Sequence, residues 1–409
     1  RSGEDGGGHS ALRRGKAEMK ACFLRCVSLL LLILLFTGCG EVKLSTPEKA
    51  AWKQCGRLLA KISGELSACG YDSPAEKWQR STLIPEDRAR VEAVAAGAGF
   101  CILRSGRDIP EYLAEPEGLL QFLDQVQAGK DCVFSLFQIT ETGMLSCRYF
   151  WQENRQFYLT TLTCDPAVKG KSSILVRETY SVRNWTISEA GNFFYQVFWE
   201  DDQHFANYSR IRLREPDQVL WQMTRECILS IGYSGTNMFL VDWAAPDYGN
   251  LSLNDLWDLF YYRKTGNMPN PEEFSYDRES RCYRIPAVDF EKLILPWFPM
   301  SREELQSVAD YDPKTDTYSW LPLESELIIR FGHPLVEPEI TACRENEDGS
   351  LNVMVETVCT DLKLDSLYSH EVTIKKRPDG TWQYLGNRKL TQPEDFIPLS
   401  RREVMESIV

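Results

Sequence analysis

The sequence predicts an α+β protein in three parts: a small N-terminal helical subdomain over 47–129, a central antiparallel β-meander over 130–266 forming a sandwich or partial barrel, and a C-terminal α+β domain over 267–409. Three observations predict it. Apolar residues recur at steps of three and four up to Gly129. They alternate with polar residues from Cys132 to Trp243, and both periods return beyond the Pro-rich connection Met268-Pro-Asn-Pro271.

Ahead of the predicted fold, Lys20 and Arg25 precede an apolar run of eleven residues that ends at Phe36 and is followed by Thr37-Gly38-Cys39. A positive start, a short apolar stretch and small residues at a cut make a secretory leader over 19–38. A bilayer span needs about 20 apolar residues, so a membrane-crossing helix is disfavoured. Leu35-Phe36-Thr37-Gly38-Cys39 resembles the lipobox of bacterial lipoproteins, with Phe36 where that family usually has Leu. The resemblance implies that Cys39 takes a diacylglyceryl group and becomes the first residue after cleavage. Two acyl chains suffice for stable anchoring. An ordinary signal peptide or an uncleaved signal anchor would also direct export. Residues 1–18, with Gly6-Gly7-Gly8, are expected to precede the true start and are set aside with the leader.

Residues 39–46 form a short tether, which places the first helix close to the bilayer because an extended chain gains only about 3.5 Å per residue. Thr46 and Pro47 suit a helix start, and Trp52, Cys55, Leu59, Ile62 and Leu66 recur at helical steps until Gly70. Two further helices are predicted, at Pro85–Ala96 and Glu117–Ala128, the second with Leu119, Phe122, Leu123 and Val126 on one side and Gly129 as its stop.

Strands are predicted at Val133–Ile139, Met144–Trp151, Phe157–Thr163, Ile174–Val182, Phe193–Trp199, Tyr208–Arg214, Cys227–Gly232 and Met238–Trp243, with turn chemistry between them. A helix over Asn254–Lys264 ends at Gly266. Helices at Ala287–Leu295 and Arg302–Asp310 follow, the latter opened by the capping box Ser301-Arg-Glu-Glu304. The tail returns to strands at Glu326–Phe331, Glu339–Arg344, Leu351–Cys359, His370–Lys376 and Thr381–Leu385, with hairpin turns at Asp348-Gly349 and Asp379-Gly380. Asp310-Tyr-Asp-Pro and Asp379-Gly-Thr-Trp-Gln-Tyr384 resemble a pattern of uncharacterised lipoproteins from Gram-positive bacteria, which implies an exported, membrane-tethered, non-enzymatic protein.

The formal net charge is −13. Duplex nucleic acid is thereby excluded as a partner, because its phosphates require a basic stripe. Of thirteen cysteines, ten follow Cys39 at wide spacing with no C-x-x-C pair. That is neither a dense disulfide scaffold nor a zinc ribbon, and most are expected as buried thiols. Cys147 and Cys164, on successive predicted strands, are the pair that a disulfide would join first.

No catalytic residue, metal or cofactor is assigned. His204, His333 and His370 lack ligand spacing. Gly232-Tyr-Ser-Gly235 lacks the second glycine of a nucleophile elbow, and Gly97-Ala-Gly99 lacks the third glycine of a dinucleotide loop. Asp310, Asp312 and Asp316 alternate like a calcium loop, but Thr315 and Leu321 stand where its Gly and Glu belong, so a hairpin is preferred. Arg210, Arg212 and Arg214 fall on one face of a strand with Ile211 and Leu213 on the other. That pattern fits an anion site, and equally a charged edge that resists unwanted pairing. Trp185, Trp199, Trp221 and Trp243 suit sugar stacking or core packing. The expectation is a lipid-anchored protein on the extracytoplasmic face of the cell membrane, palmitate-bearing, acting as a binding or interaction module for a cell-envelope component or protein. The alternative is a carboxylate-dependent envelope hydrolase drawing on Glu200, Asp201, Asp202, Glu324 or Glu326.

Overall fold

The computed structural model describes residues 46–68, 85–106, 110–140, 143–164, 174–199, 204–233, 235–323, 336–391 and 400–406. The leader, Cys39, the tether and the predicted strand at Glu326–Phe331 lie outside these. The chain divides into two compact units, Arg1–Gln54 and Cys55–Val409. The described residues of the first belong to the opening turns of helix α1, Thr46–Ala68. None of the described helices is long and apolar enough to cross a membrane.

Within the second unit the fold is α+β, and its β-rich half is a closed barrel of eight strands. Cys55, Leu58 and Ile62 of α1 are fully buried. Helix α2, Pro85–Ala96, buries Val91 and Ala95, and Arg88 donates to the Ile139 carbonyl (3.2 Å). Strands β1, Cys101–Arg104, and β2, Tyr112–Leu113, come next. Their presence corrects the predicted helical subdomain, since both belong to the barrel. At four and two residues they are too short for an alternating pattern to register.

Helix α3, Glu117–Gln127, precedes the meander of β3 Cys132–Ile139, β4 Leu145–Glu153, β5 Gln156–Cys164, β6 Ile174–Ile187, β7 Asn192–Trp199 and β8 Phe205–Arg212. The sheet order is β1-β2-β8-β7-β6-β5-β4-β3, and it closes because β1 lies parallel to β3. Alternation sorts the faces. Phe134, Phe150, Phe157, Tyr195 and Ile211 point inward and pack with Leu119, Phe122 and Leu123 of α3, which closes the barrel's apolar part. The Phe122 ring lies 5.9 Å from Phe134 and 5.6 Å from Phe157. The same inward face also carries a polar group. Gln138 donates to Glu111 (2.7 Å) and Ser105 (2.8 Å), and Arg148 donates to Gln138 (2.9 Å). The β4–β5 hairpin turns on Asn154 and Arg155, both at positive φ, the geometry whose twist matches the strands.

The second half of the unit, from residue 218, is an α+β body. Helix α4, Gln218–Met223, runs into a π-helical turn over Thr224–Leu229. The predicted strands at 227–232 and 238–243 are therefore corrected to a π turn and loops, with only β9, Trp243–Ala244, pairing in a sheet. Cys227, Ile228, Ile231, Met238, Phe239 and Leu240 are all buried in one core, and period cannot separate helix from strand in a run buried on every side. The same core moves the end of the β-rich part from 266 back to β8.

Helix α5, Trp257–Thr265, ends at Gly266 with φ 75°. Strands β10 Ser275–Asp277 and β11 Cys282–Pro286 follow, then helix α6 Ala287–Ile294 and helix α7 Arg302–Val308. The capping box is formed, with the Glu304 amide donating to Ser301 Oγ (3.1 Å) and the Ser301 amide to Glu304 (2.6 Å). Asp312 lies in a hairpin of β12 Tyr311–Asp312 and β13 Thr317–Trp320, where it accepts from the Lys314 amide. Strands β14 Glu337–Glu345, β15 Leu351–Val358, β16 Ser369–Lys376 and β17 Trp382–Thr391 make an antiparallel sheet with β9, and helix α8, Arg401–Glu406, closes the described chain.

Candidate functional site

A cleft of about 550 Å3 lies on the body, between α5, the segment before β10, β11 and α6. That volume is within the range of small-molecule sites. Helical spacing builds two of its walls. Trp257, Tyr261 and Lys264 stand at steps of four and three on α5, and Asp289 and Lys292 share a face of α6. Phe274 completes the aromatic part, its ring perpendicular to Trp257 with centroids 5.4 Å apart, and the Tyr261 ring lies at the same distance from Trp257. Trp320 backs the indole at 5.0 Å.

Trp257 is 2 % exposed, and its Nε1 has no hydrogen-bond partner among the described residues. A buried donor left unpaired costs about 1–3 kcal/mol. Around it the rim is mixed in charge. Arg284 is committed, donating to Ser319 (2.9 Å), Ser280 (3.1 Å) and Asp277 (2.5 Å), and holds the Asp277 carboxyl well below the usual range. Lys264, Lys292, Glu273 and Asp289 are exposed and have no ion-pair partner among the described residues. Two ammonium and two carboxylate groups around an aromatic wall suit a ring-bearing ligand rich in hydroxyl groups, or one of balanced charge.

A second, smaller groove of about 270 Å3 lies where the barrel meets the body, and it contains two of the three predicted arginines. Ile211 and Leu213 point into the barrel core and the arginines point away from it, as their alternation requires. Arg210 donates to Glu337 (2.9 Å) and Glu339 (3.0 Å), and Arg212 pairs with Glu339. An anion would have to displace these carboxylates. Arg210 and Arg212 therefore act as a clamp between barrel and body rather than as anion ligands, which leaves Arg214, exposed and bonded to the Glu189 carbonyl at 3.3 Å. Asp365 strengthens the same junction, accepting from Asn192 Nδ2 (2.7 Å) and the Ala190 amide (3.0 Å). Of the four tryptophans singled out, Trp185 and Trp243 pack in cores, Trp199 is 44 % exposed beside Tyr180, and Trp221 lines this groove.

Two other buried polar groups of the body are paired internally. His370 is fully buried; since Asn387 Oδ1 only accepts, His370 Nδ1 donates to it (2.6 Å) and Nε2 accepts from Tyr233 (2.8 Å). Burial pulls its pKa down to about 4. Arg401 donates a fork to Asp258 (2.6 and 2.9 Å), both side chains fully buried. Glu200, Asp201, Asp202, Glu324, Glu326, His333 and Ser234 lie outside the described residues.

Sequence reasoning missed the cleft residues. A helix around 254–264 was legible, yet its apolar face looked like any core face, and Phe274 sits in an irregular segment with no period. A fold of this kind, with a closed barrel clamped to a body that carries an aromatic-walled cleft, defines a two-part α+β protein. The chain belongs to a family of unknown function, DUF6070, whose sequence profile matches residues 76–403 and so takes in both barrel and body. No curated protein and no solved structure matches it.

Proposed function

We propose that this protein is a binding module held at the outer face of the cytoplasmic membrane by lipid on Cys39, and that its cleft takes a saccharide-bearing component of the cell envelope. The observation carrying the reading is the aromatic wall of Trp257, Tyr261 and Phe274 in a cleft large enough for a small ligand, with the buried Trp257 N–H left unpaired behind it. A ligand hydroxyl would satisfy that donor, and the ring faces would cover the apolar side of a sugar. The uncommitted Lys264, Lys292, Glu273 and Asp289 supply donors and acceptors for further hydroxyl groups. The leader and the Leu35–Cys39 motif support the location.

Calorimetric titration of the detergent-solubilised chain with soluble wall-glycan fragments tests the cleft. Phe274→Ala should weaken binding about tenfold, the size of one aromatic contact; equal affinity in chain and variant would remove the cleft from the reading. Cys39→Ala should abolish palmitate labelling and release the chain from the membrane fraction, and unchanged labelling would refute the anchor.

A further inference from the structure

Three cysteines from distant parts of the sequence meet on the outer face of the barrel. Cys147 of β4 and Cys164 of β5 lie on that face, and Cys55 of α1 is placed where its thiol interacts electrostatically with both. Their exposures are 0 %, 1 % and 0 %. Tyr149, fully buried on the same face, stands within electrostatic reach of all three sulfurs, and its hydroxyl has no hydrogen-bond partner among the described residues. A polar hydroxyl left unpaired beside three thiols marks a place where apolar packing alone is a poor explanation.

Strand register decides which sulfurs can join. Cys147 is opposite Leu162 and Cys164 opposite Leu145, so the two cysteines are diagonal neighbours. Diagonal positions lie about 7–8 Å apart, whereas a disulfide needs Cβ atoms about 3.5–4.5 Å apart. The helix, by contrast, brings Cys55 onto both.

We infer that this cluster is an oxidative cross-linking site in which Cys55 is the shared partner, forming a disulfide with Cys147 or Cys164 and so joining α1 covalently to the barrel. The oxidant is a low-molecular-weight disulfide such as glutathione disulfide. The Cys55 thiolate attacks it, breaking the reagent's S–S bond and releasing one reagent thiol. The thiolate of Cys147 or Cys164 then attacks the Cys55 sulfur and releases the second. Two protein thiols give up two protons and two electrons, and the reagent leaves as two thiols. The third cysteine remains beside the new bond and can exchange into it. The neighbouring thiols, and after them burial, push Cys55 and Cys164 upward, away from the reactive thiolate, so the attack on the reagent belongs to the stage of folding before α1 is seated and the second exchange to the docking that brings the sulfurs together.

The test refolds the reduced, detergent-solubilised full chain in glutathione disulfide, quenches with an alkylating reagent, and maps peptides without reductant. The expected product links Cys55 to Cys147 or Cys164. Cys147→Ser should retain the link to Cys164, and Cys164→Ser the link to Cys147. Recovery of all three cysteines in alkylated form from the unsubstituted chain, or of a peptide joining Cys147 to Cys164, would overturn the inference. The mapping of the unsubstituted chain does not depend on whether the variants fold.

Discussion

Asp255 and His370 are buried ionisable groups of the body whose effects on stability run in opposite directions. Burial holds Asp255 up at about 6, against the pull of Arg401, whose backbone amide also donates to it (3.0 Å). The folded chain thus keeps a proton that the unfolded chain releases between about pH 4 and pH 6. This contribution is present below that window and is lost as pH rises through it. His370, pulled down to about 4, stays neutral where the unfolded chain takes up a proton. Its contribution is complete above about pH 6.5 and is lost as pH falls towards 4. Urea unfolding across this range should show the unsubstituted chain gaining on Asp255→Asn as pH falls, and gaining on His370→Gln as pH rises, each by at most about 3 kcal/mol. Slopes of the same sign for both variants would refute the assignment. Little of this was legible in sequence: His370 showed only that it lacked ligand spacing, and the meeting of Asp255, Asp258 and Arg401 joins residues far apart in the chain.

Among the elements, α3 has the clearest structural task. Phe122 touches inward rings from two strands at once, so Phe122→Ala should leave a cavity in the barrel and cost about 3–5 kcal/mol in denaturant unfolding. A loss below about 1 kcal/mol would mean that the helix does not close the barrel. The elements read correctly from sequence are those specified locally. The capping box at Ser301 and Glu304, the glycine turns at Gly349 and Gly380, and the long alternating strands β3 to β5 each carry their own signal. The failures have a common cause in the opposite situation. β1 and β2 owe their existence to partners on β3 and β8, and the run from Cys227 to Leu240 is buried on all sides, so neither had a period to read.

At the scale of the molecule, the junction between barrel and body is polar, and two buried arginines share one carboxylate there. Removing that carboxylate with Glu339→Ala leaves Arg210 with Glu337 alone and Arg212 with none, which should cost about 3 kcal/mol, whereas the pair Arg212→Met with Glu339→Leu should recover much of the loss. No recovery in the double variant would show that the clamp does more than balance charge. The alternation that placed the arginines together was visible in sequence; their partners, 127 to 129 residues onward, were not, because only the tertiary fold brings them near. The cleft was hidden for the same reason, its walls coming from two helices, a strand and an irregular segment.

The most direct measurement is the indole N–H resonance of Trp257 in the 15N-tryptophan-labelled full chain, assigned with Trp257→Phe, during titration with soluble wall-glycan fragments. A ligand seated in the cleft predicts a saturable shift of that resonance, lost in Phe274→Ala. A Trp257 signal that stays fixed while the fragments bind would place binding elsewhere and contradict the account.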